Sequence, residues 1–300
     1  MKKLTALLVA LLPLMAAGAK PIEIKLWPDG APNSNGLAPE AEDPTPGWVT
    51  GVSDPVLYVY PAAQPNGTAV IMCPGGAYIG LADTHEGHDM ADWFNSMGVT
   101  YAVLKYRMPN GNCEIPLVDG EQAMRIMRAH ADEWNVSPGS IGLMGASAGG
   151  HFASTLATHY TSPETRPDFQ VLFYPVITMD PEIRHGSTRN NLMGPEQTAE
   201  KIHFFSNDEQ VTPDTPKAFI MVSSDDDLVS PQNSILYYSA LLRNGVPVAL
   251  HSYPTGGHGW GFRDSFIYKP AWTAELERWL DREVIMMGLP HVEKATGPRL

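Results

Sequence analysis

The chain has 300 residues, 43% hydrophobic and 18% charged, enough apolar material for a sizeable core and too much for a disordered chain. Acids outnumber bases 33 to 20, a net charge of −13, which argues against a nucleic-acid partner, because neutralising phosphates needs lysine and arginine. Two cysteines exclude a disulfide framework and a structural zinc cluster, and 27 glycines and 27 prolines scattered without a period exclude a collagen or a solenoid.

Residues 1–19 read as a cleaved signal peptide. Lys2 and Lys3 form a basic start, residues 4–15 an apolar stretch too short to span a bilayer comfortably, and Ala17-Gly18-Ala19 offers small residues for cleavage after Ala19. No cysteine stands at the cleavage position directly after that stretch and no later run reaches membrane length, so the expectation is a secreted or periplasmic protein without a membrane anchor. Residues 20–50 contain a Pro-, Gly- and Asn-rich segment and are expected to form an N-terminal arm extended across the surface. Cys73 and Cys113 could pair in an oxidising compartment, although the apolar run 70–73 makes Cys73 read as a buried free thiol.

Over residues 51–290 two periodicities alternate. Strand-like apolar runs fall at 56–60, 68–73, 100–104, 140–144, 170–174, 218–222 and 248–253. Between them, Met90, Trp93, Phe94 and Met97 share one helical face over 89–97, and Ala123, Ile126, Met127, His130 and Trp134 share another over 117–134. Residues 148–160, 231–244 and 270–287 read as further helices. Pro231 and Pro270 suit a first turn, and Gly245 and Gly288 suit the stop. Several strands are continuously apolar, the pattern of strands covered on both faces, so the fold class is α/β: one domain, a mostly parallel central sheet and helices on both sides. Residues 178–216 lack a strand pattern and are expected to form an insertion near the active-site mouth, with 291–300 as a C-terminal tail.

The strongest chemical signal is Gly145-Ala146-Ser147-Ala148-Gly149-Gly150, set between a strand and a helix. A serine on such a turn stands above the sheet edge, and the small neighbours avoid collision with the adjoining strand and helix. A serine hydroxyl attacks well only when a base removes its proton. His258, in Gly256-Gly257-His258-Gly259-Trp260 after the last strand, is the candidate base. One carboxylate of Asp225, Asp226 and Asp227, after strand 218–222, can orient it, in the chain order serine, aspartate, histidine. In Cys73-Pro74-Gly75-Gly76-Ala77-Tyr78 a Gly-Gly turn lets backbone N–H groups converge, so Gly76 and Ala77, with Ala148, are candidates for an oxyanion hole. His85 and His88 flank Glu86, but their spacing is not that of a metal helix and no third ligand is evident, so no metal and no cofactor are expected.

With these residues in view the chain resembles the α/β-hydrolase esterase and lipase superfamily across nearly all of residues 50–287. Cys73–Tyr78, Leu81-Ala82, Glu86-Gly87, Ser147 with its glycines, Asp225–Val229, Asn233-Ser234 and Gly257-His258-Gly259 together resemble secreted acetyl xylan esterase-like proteins of plant-polysaccharide degraders. Two departures stand out: Pro74 replaces the histidine of the usual His-Gly-Gly-Gly loop, and Ser230 replaces the proline of an Asp-x-x-Val-Pro pattern. The resemblance implies an α/β-hydrolase fold, Asp226 as the triad acid, and removal of acetyl groups from acetylated carbohydrate or another small ester. Tyr78 and Trp260 are candidates either for stacking on sugar rings or for packing in an aromatic-rich core, and the loop after Tyr78 with the 178–216 insertion for shaping the acyl pocket. Alternatives are a broad short-chain esterase or lipase, a feruloyl esterase on the same fold, and a non-catalytic carbohydrate-binding protein on a hydrolase scaffold.

Overall fold

A computed structural model describes residues 20–285; the signal peptide expected at 1–19 and the tail expected at 291–300 lie outside the described residues. In chain order the elements are β1 (Ile22–Lys25), β2 (Asp43–Thr45), β3 (Trp48–Thr50), β4 (Val56–Tyr60), β5 (Ala69–Cys73), β6 (Gly80–Leu81), α1 (Ala91–Ser96), β7 (Thr100–Lys105) and α2 (Ile115–Ala129). There follow β8 (Ile141–Ala146), α3 (Ala148–His159), β9 (Phe169–Phe173), α4 (Gly186–Met193), α5 (Ala199–Phe204), β10 (Lys217–Ser223), α6 (Gln232–Arg243), β11 (Val248–Tyr253) and α7 (Lys269–Trp279). Each of the seven apolar runs named above overlaps one of these strands to within a residue or two at its ends.

Eight strands form one sheet in the order β1-β4-β7-β5-β8-β9-β10-β11, parallel from β7 to β11, with β1 and β4 antiparallel at one margin. The two-residue alternation of strand side chains divides the core into two layers. Ala69, Ile71 and Cys73 of β5 face one layer with Met124 of α2, Phe152 of α3 and Leu241 of α6. Val70 and Met72 face the other, with Phe94 of α1 and Trp272 of α7. Every residue of β5, β8 and β9 is buried, which explains their unbroken apolar sequences.

From β5 the chain first moves to β7 on one side, then returns to β8 on the other. The carboxyl ends of β5 and β8 therefore meet at a topological switch point, where open α/β sheets form their clefts. Cys73 pairs with Gly145 in that register, so the loop after residue 73 and the turn at 147 emerge side by side.

The N-terminal arm differs in part from expectation. β1 pairs with β4, Ile22 opposite Val59, and extends the main sheet. β2, β3 and β6 form a second small sheet, with Val49 opposite Leu81. β1 and β6 have remote partners, and although β2 and β3 form a local hairpin with Thr45 opposite Trp48, all four runs are too short to show a period. A buried ion pair secures the arm: the Arg107 guanidinium donates to Asp119 at 2.6 Å and to the Asn33 carbonyl at 2.7 Å, and Trp27 Nε1–H donates to Asp119 at 2.9 Å. The insertion holds α4 and α5 and no strand. Cys73 and Cys113 are free thiols, and burial pushes Cys73 far above the ordinary thiol range.

Candidate active site

Ser147 stands between β8 and α3 with φ 53° and ψ −118°, a left-handed conformation that few residues with a side chain adopt. Its neighbours have no room for one. A Cβ on Gly149 would lie 2.0 Å from the Cys73 carbonyl oxygen, and one on Gly145 2.1 Å from that of Gly149. The elbow is thus wedged against the end of β5, and the Ser147 N–H donates to the Phe173 carbonyl at 3.0 Å. Ser147 is 6% exposed and lines a cleft of about 1080 Å³.

The structure brings Ser147, His258 and Asp226 into one hydrogen-bonded chain. Ser147 Oγ lies 2.8 Å from His258 Nε2, and His258 Nδ1 lies 2.7 Å from Asp226 Oδ2. The other carboxylate oxygen, Oδ1, accepts the N–H groups of Leu228 at 3.0 Å and Val229 at 2.9 Å. The acid is locked, its side chain fully buried, and the imidazole has one orientation open to it. With Nδ1–H directed at the carboxylate, Nε2 is free to accept a proton from Ser147.

The three adjacent aspartates separate into distinct positions. Asp225 is exposed and accepts the N–H groups of Gly256 at 3.2 Å and Gly257 at 2.8 Å, so it holds the loop that presents His258. Asp227 is exposed. The loop itself needs its glycines, since Gly256, Gly257, Gly259 and Gly261 all have positive φ.

Gly76 and Ala77 line the cleft together with Ser147, and Ala148 follows Ser147 in the chain at the start of α3. None of their N–H groups takes part in the turn and loop backbone hydrogen bonds among the described residues. Ala77 and Tyr78 hold φ of 53° and 59°, and Asn191 Nδ2–H from α4 donates to the Ala77 carbonyl at 2.8 Å, fixing the loop from behind. Beneath it lies a carboxylate whose role the sequence does not announce. Glu86, 3% exposed, accepts the Gly75 N–H at 2.9 Å and the Tyr174 O–H at 2.8 Å, and Tyr174 Oη accepts the Gly261 N–H at 2.8 Å. Burial first, then the Glu86 charge, push the Tyr174 phenol well above its ordinary range, so it stays the donor. One carboxylate thereby joins the loop after β5, the end of β9 and the turn after His258. With both oxygens of Glu86 engaged and His88 Nδ1 bonded to the Tyr60 hydroxyl at 2.8 Å, these groups are not arranged as ligands. Among the described residues no three His, Cys, Asp or Glu side chains gather as a metal site.

Tyr78 and Trp260 need correction as sugar-stacking candidates. Tyr78 is 2% exposed, and its O–H donates to Nδ1 of the buried His151 at 3.0 Å, whose Nε2–H donates to the Phe205 carbonyl at 2.9 Å. Trp260 is 3% exposed, stacked on Phe266 at 4.2 Å, and its Nε1–H donates to Ser223 Oγ. Tyr78 is a packing element, and Trp260, although it borders the cleft, is too buried and too closely stacked to offer a sugar a face. Ile79 after Tyr78 and His185 from the insertion do line the cleft, as do Leu228 and Ile267, which are exposed at its rim.

A nucleophile elbow at the switch point of a mostly parallel sheet, with acid and base on the loops after β10 and β11, defines a hydrolase scaffold. The sequence model of the alpha/beta hydrolase fold family matches residues 70–262, and the chain belongs to that family. It is 42% identical over 222 residues to an acetylxylan esterase of Xylanibacter ruminicola, covering 72% of this chain and 46% of that protein. It is 33% identical over 204 residues to endo-1,4-beta-xylanase B of Butyrivibrio fibrisolvens, covering 63% and 32%. The chain thus spans less than half the length of these two relatives. Among solved structures, an acetyl ester-xyloside bifunctional hydrolase from Caldicellulosiruptor lactoaceticus superposes with a TM-score of 0.76 at 31% identity, covering 89% of this chain and 97% of that one.

Proposed function

We propose that this protein is a carboxylic ester hydrolase that removes short acyl groups, foremost acetyl, from plant-polysaccharide or oligosaccharide esters through an acyl-serine intermediate. The observation that carries the chemistry is the unbroken chain from Ser147 Oγ to His258 to Asp226, opening on a cleft wide enough for a bulky alcohol. Ser147 Oγ attacks the ester carbonyl as His258 Nε2 takes its proton, and the Asp226 carboxylate stabilises the imidazolium. Negative charge on the carbonyl oxygen is met by the N–H groups of Gly76, Ala77 and Ala148, the last aided by the N-terminus of α3. His258 returns the proton to the departing alcohol. Water, activated by the same imidazole, then releases the acid and restores the serine. No step draws on a metal or cofactor.

The likeness to an acetylxylan esterase and to an acetyl ester-xyloside hydrolase supports the choice of acetylated xylose polymers as substrate. The apolar start of the chain supports export by a leader over residues 1–19. The test is acetate release from acetylated xylan, alongside kcat/KM for acetyl, butyryl and octanoyl esters of one alcohol. A steep fall from acetyl to octanoyl is expected, because each added methylene overfills an acyl site at a cost of about 1–3 kcal/mol. Flat or rising activity to octanoyl would instead mark a lipase, and activity on feruloyl but not acetyl esters would move the substrate to an aromatic acid.

A further inference from the structure

Removing Tyr78 and Trp260 as stacking candidates leaves, among the described residues, one tryptophan, tyrosine or phenylalanine ring in the cleft that is neither buried nor paired. Trp48, at the start of β3, is half-buried and lines the same cleft as Ser147 and His258. Among the described residues its indole pairs with no other ring, whereas the other two aromatic carbocycles lining the cleft, Trp260 and Phe266, stack on each other. The ring lies on the backbone of the loop that carries the hole. A Cβ on Gly80 would sit 2.8 Å from both Cε2 and Cζ2 of Trp48, and one on Gly76 3.0 Å from its Cη2. Glycines at 76 and 80 let the indole bed down, and the Gly76 contact sets it beside one of the residues proposed above to form the oxyanion hole.

From this geometry, and resting on the proposed sugar-ester activity, we infer that Trp48 is the platform for the pyranose ring that bears the acyl group. A pyranose presents a face of C–H bonds that packs on an indole, while its hydroxyls stay in water. The ring is tied to the hole through Gly76, so a sugar seated on it holds its ester within reach of Ser147. The flat C–H face of a pyranose matches an indole over a larger area than a single methyl group does. The contact therefore discriminates among alcohols.

The test uses the full chain with Trp48→Leu and Trp48→Phe, assayed by acetate release from acetylated xylo-oligosaccharides and from ethyl acetate. The readout is the ratio of the two kcat/KM values. The leucine variant should lower that ratio at least about tenfold, chiefly through KM on the oligosaccharide, and phenylalanine should restore it to within about threefold of wild type. Parallel losses on both substrates, leaving the ratio fixed, would show that the indole only supports the loop, and no change in either would equally overturn the assignment. A variant that instead alters the preference between ethyl acetate and ethyl butyrate would place the acyl chain, not the sugar, on the ring. Wild-type protein that cleaves ethyl acetate but releases nothing from the oligosaccharide would sink the substrate reading itself, and the platform with it.

Discussion

Asparagine at position 226 poses the sharpest question to the triad. The amide keeps one oxygen, enough for the N–H groups of Leu228 and Val229 now held by Oδ1, so the turn should survive. Its NH₂ then faces His258 Nδ1 at the 2.7 Å now spanned to the carboxylate. Two donors cannot share that line. The imidazole must move its proton to Nε2, the atom 2.8 Å from Ser147 Oγ, and can no longer accept from the serine. A tautomer error of this kind costs about 10³–10⁴ in kcat, about 4–5.5 kcal/mol of barrier. Asp225→Ala removes two exposed loop bonds worth about 1 kcal/mol each, so its loss should stay within about thirtyfold, and Asp227→Ala should cost less still. The assay is kcat on a chromogenic acetate ester at saturation, with thermal unfolding of each variant as the control for folding. Asp226→Asn within tenfold of wild type, or Asp225→Ala the more damaging of the two, would refute the assignment of these carboxylates.

Ser147→Ala should fold as wild type yet lose at least about 10³-fold in kcat, and a serine-directed phosphonate should label Ser147 alone, as read by peptide mass mapping. Gly149→Ala should fail to yield active protein, since its Cβ would meet the Cys73 carbonyl oxygen at 2.0 Å; normal turnover would show that the elbow is looser than described. Burial pushes the imidazole of His151 down to about 4 from its ordinary 6.5. The unfolded chain therefore takes up that proton first, so stability is complete above about pH 6.5 and falls by up to about 3 kcal/mol toward pH 4. Urea unfolding at pH 7 and pH 4.5 should show that slope reduced in His151→Gln. Asp119→Ala leaves the Arg107 charge buried and unpaired and should cost about 3–5 kcal/mol in the same assay.

What could be read from sequence follows the range of the interactions. The parallel strands were legible because burial on both faces writes itself as unbroken apolar runs, as in Val70-Ile71-Met72. β1, β2, β3 and β6 were not, because runs of two to four residues carry no period and their partners lie up to tens of residues away. The elbow serine and the glycine-flanked histidine announced themselves by local geometry. Which aspartate faces the histidine needed a family pattern, since three identical neighbours differ only in where the turn aims them. Glu86 and Asp225 were missed as positioning groups because their importance lies in the backbone N–H groups that they receive, at Gly75, Gly256 and Gly257, none of it encoded nearby. Tyr78 and Trp260 misled for a related reason: adjacency to a functional residue says nothing about which way a ring turns.

The order of strands has a consequence for how this molecule wears out. The nucleophile and the hole sit on β8 and β5 in the interior of the sheet, where every residue is buried. The base follows β11, which is the margin of the sheet, hydrogen-bonded on one side only and mostly half-buried. Margins open first under thermal agitation, at a free energy well below that of the whole fold. Heat is expected to lift His258 away while the serine remains in place, so that catalytic power is lost at a lower temperature than compactness. The link from Glu86 through Tyr174 to Gly261 is a brace across that seam, and its strength sets how far apart the two temperatures lie.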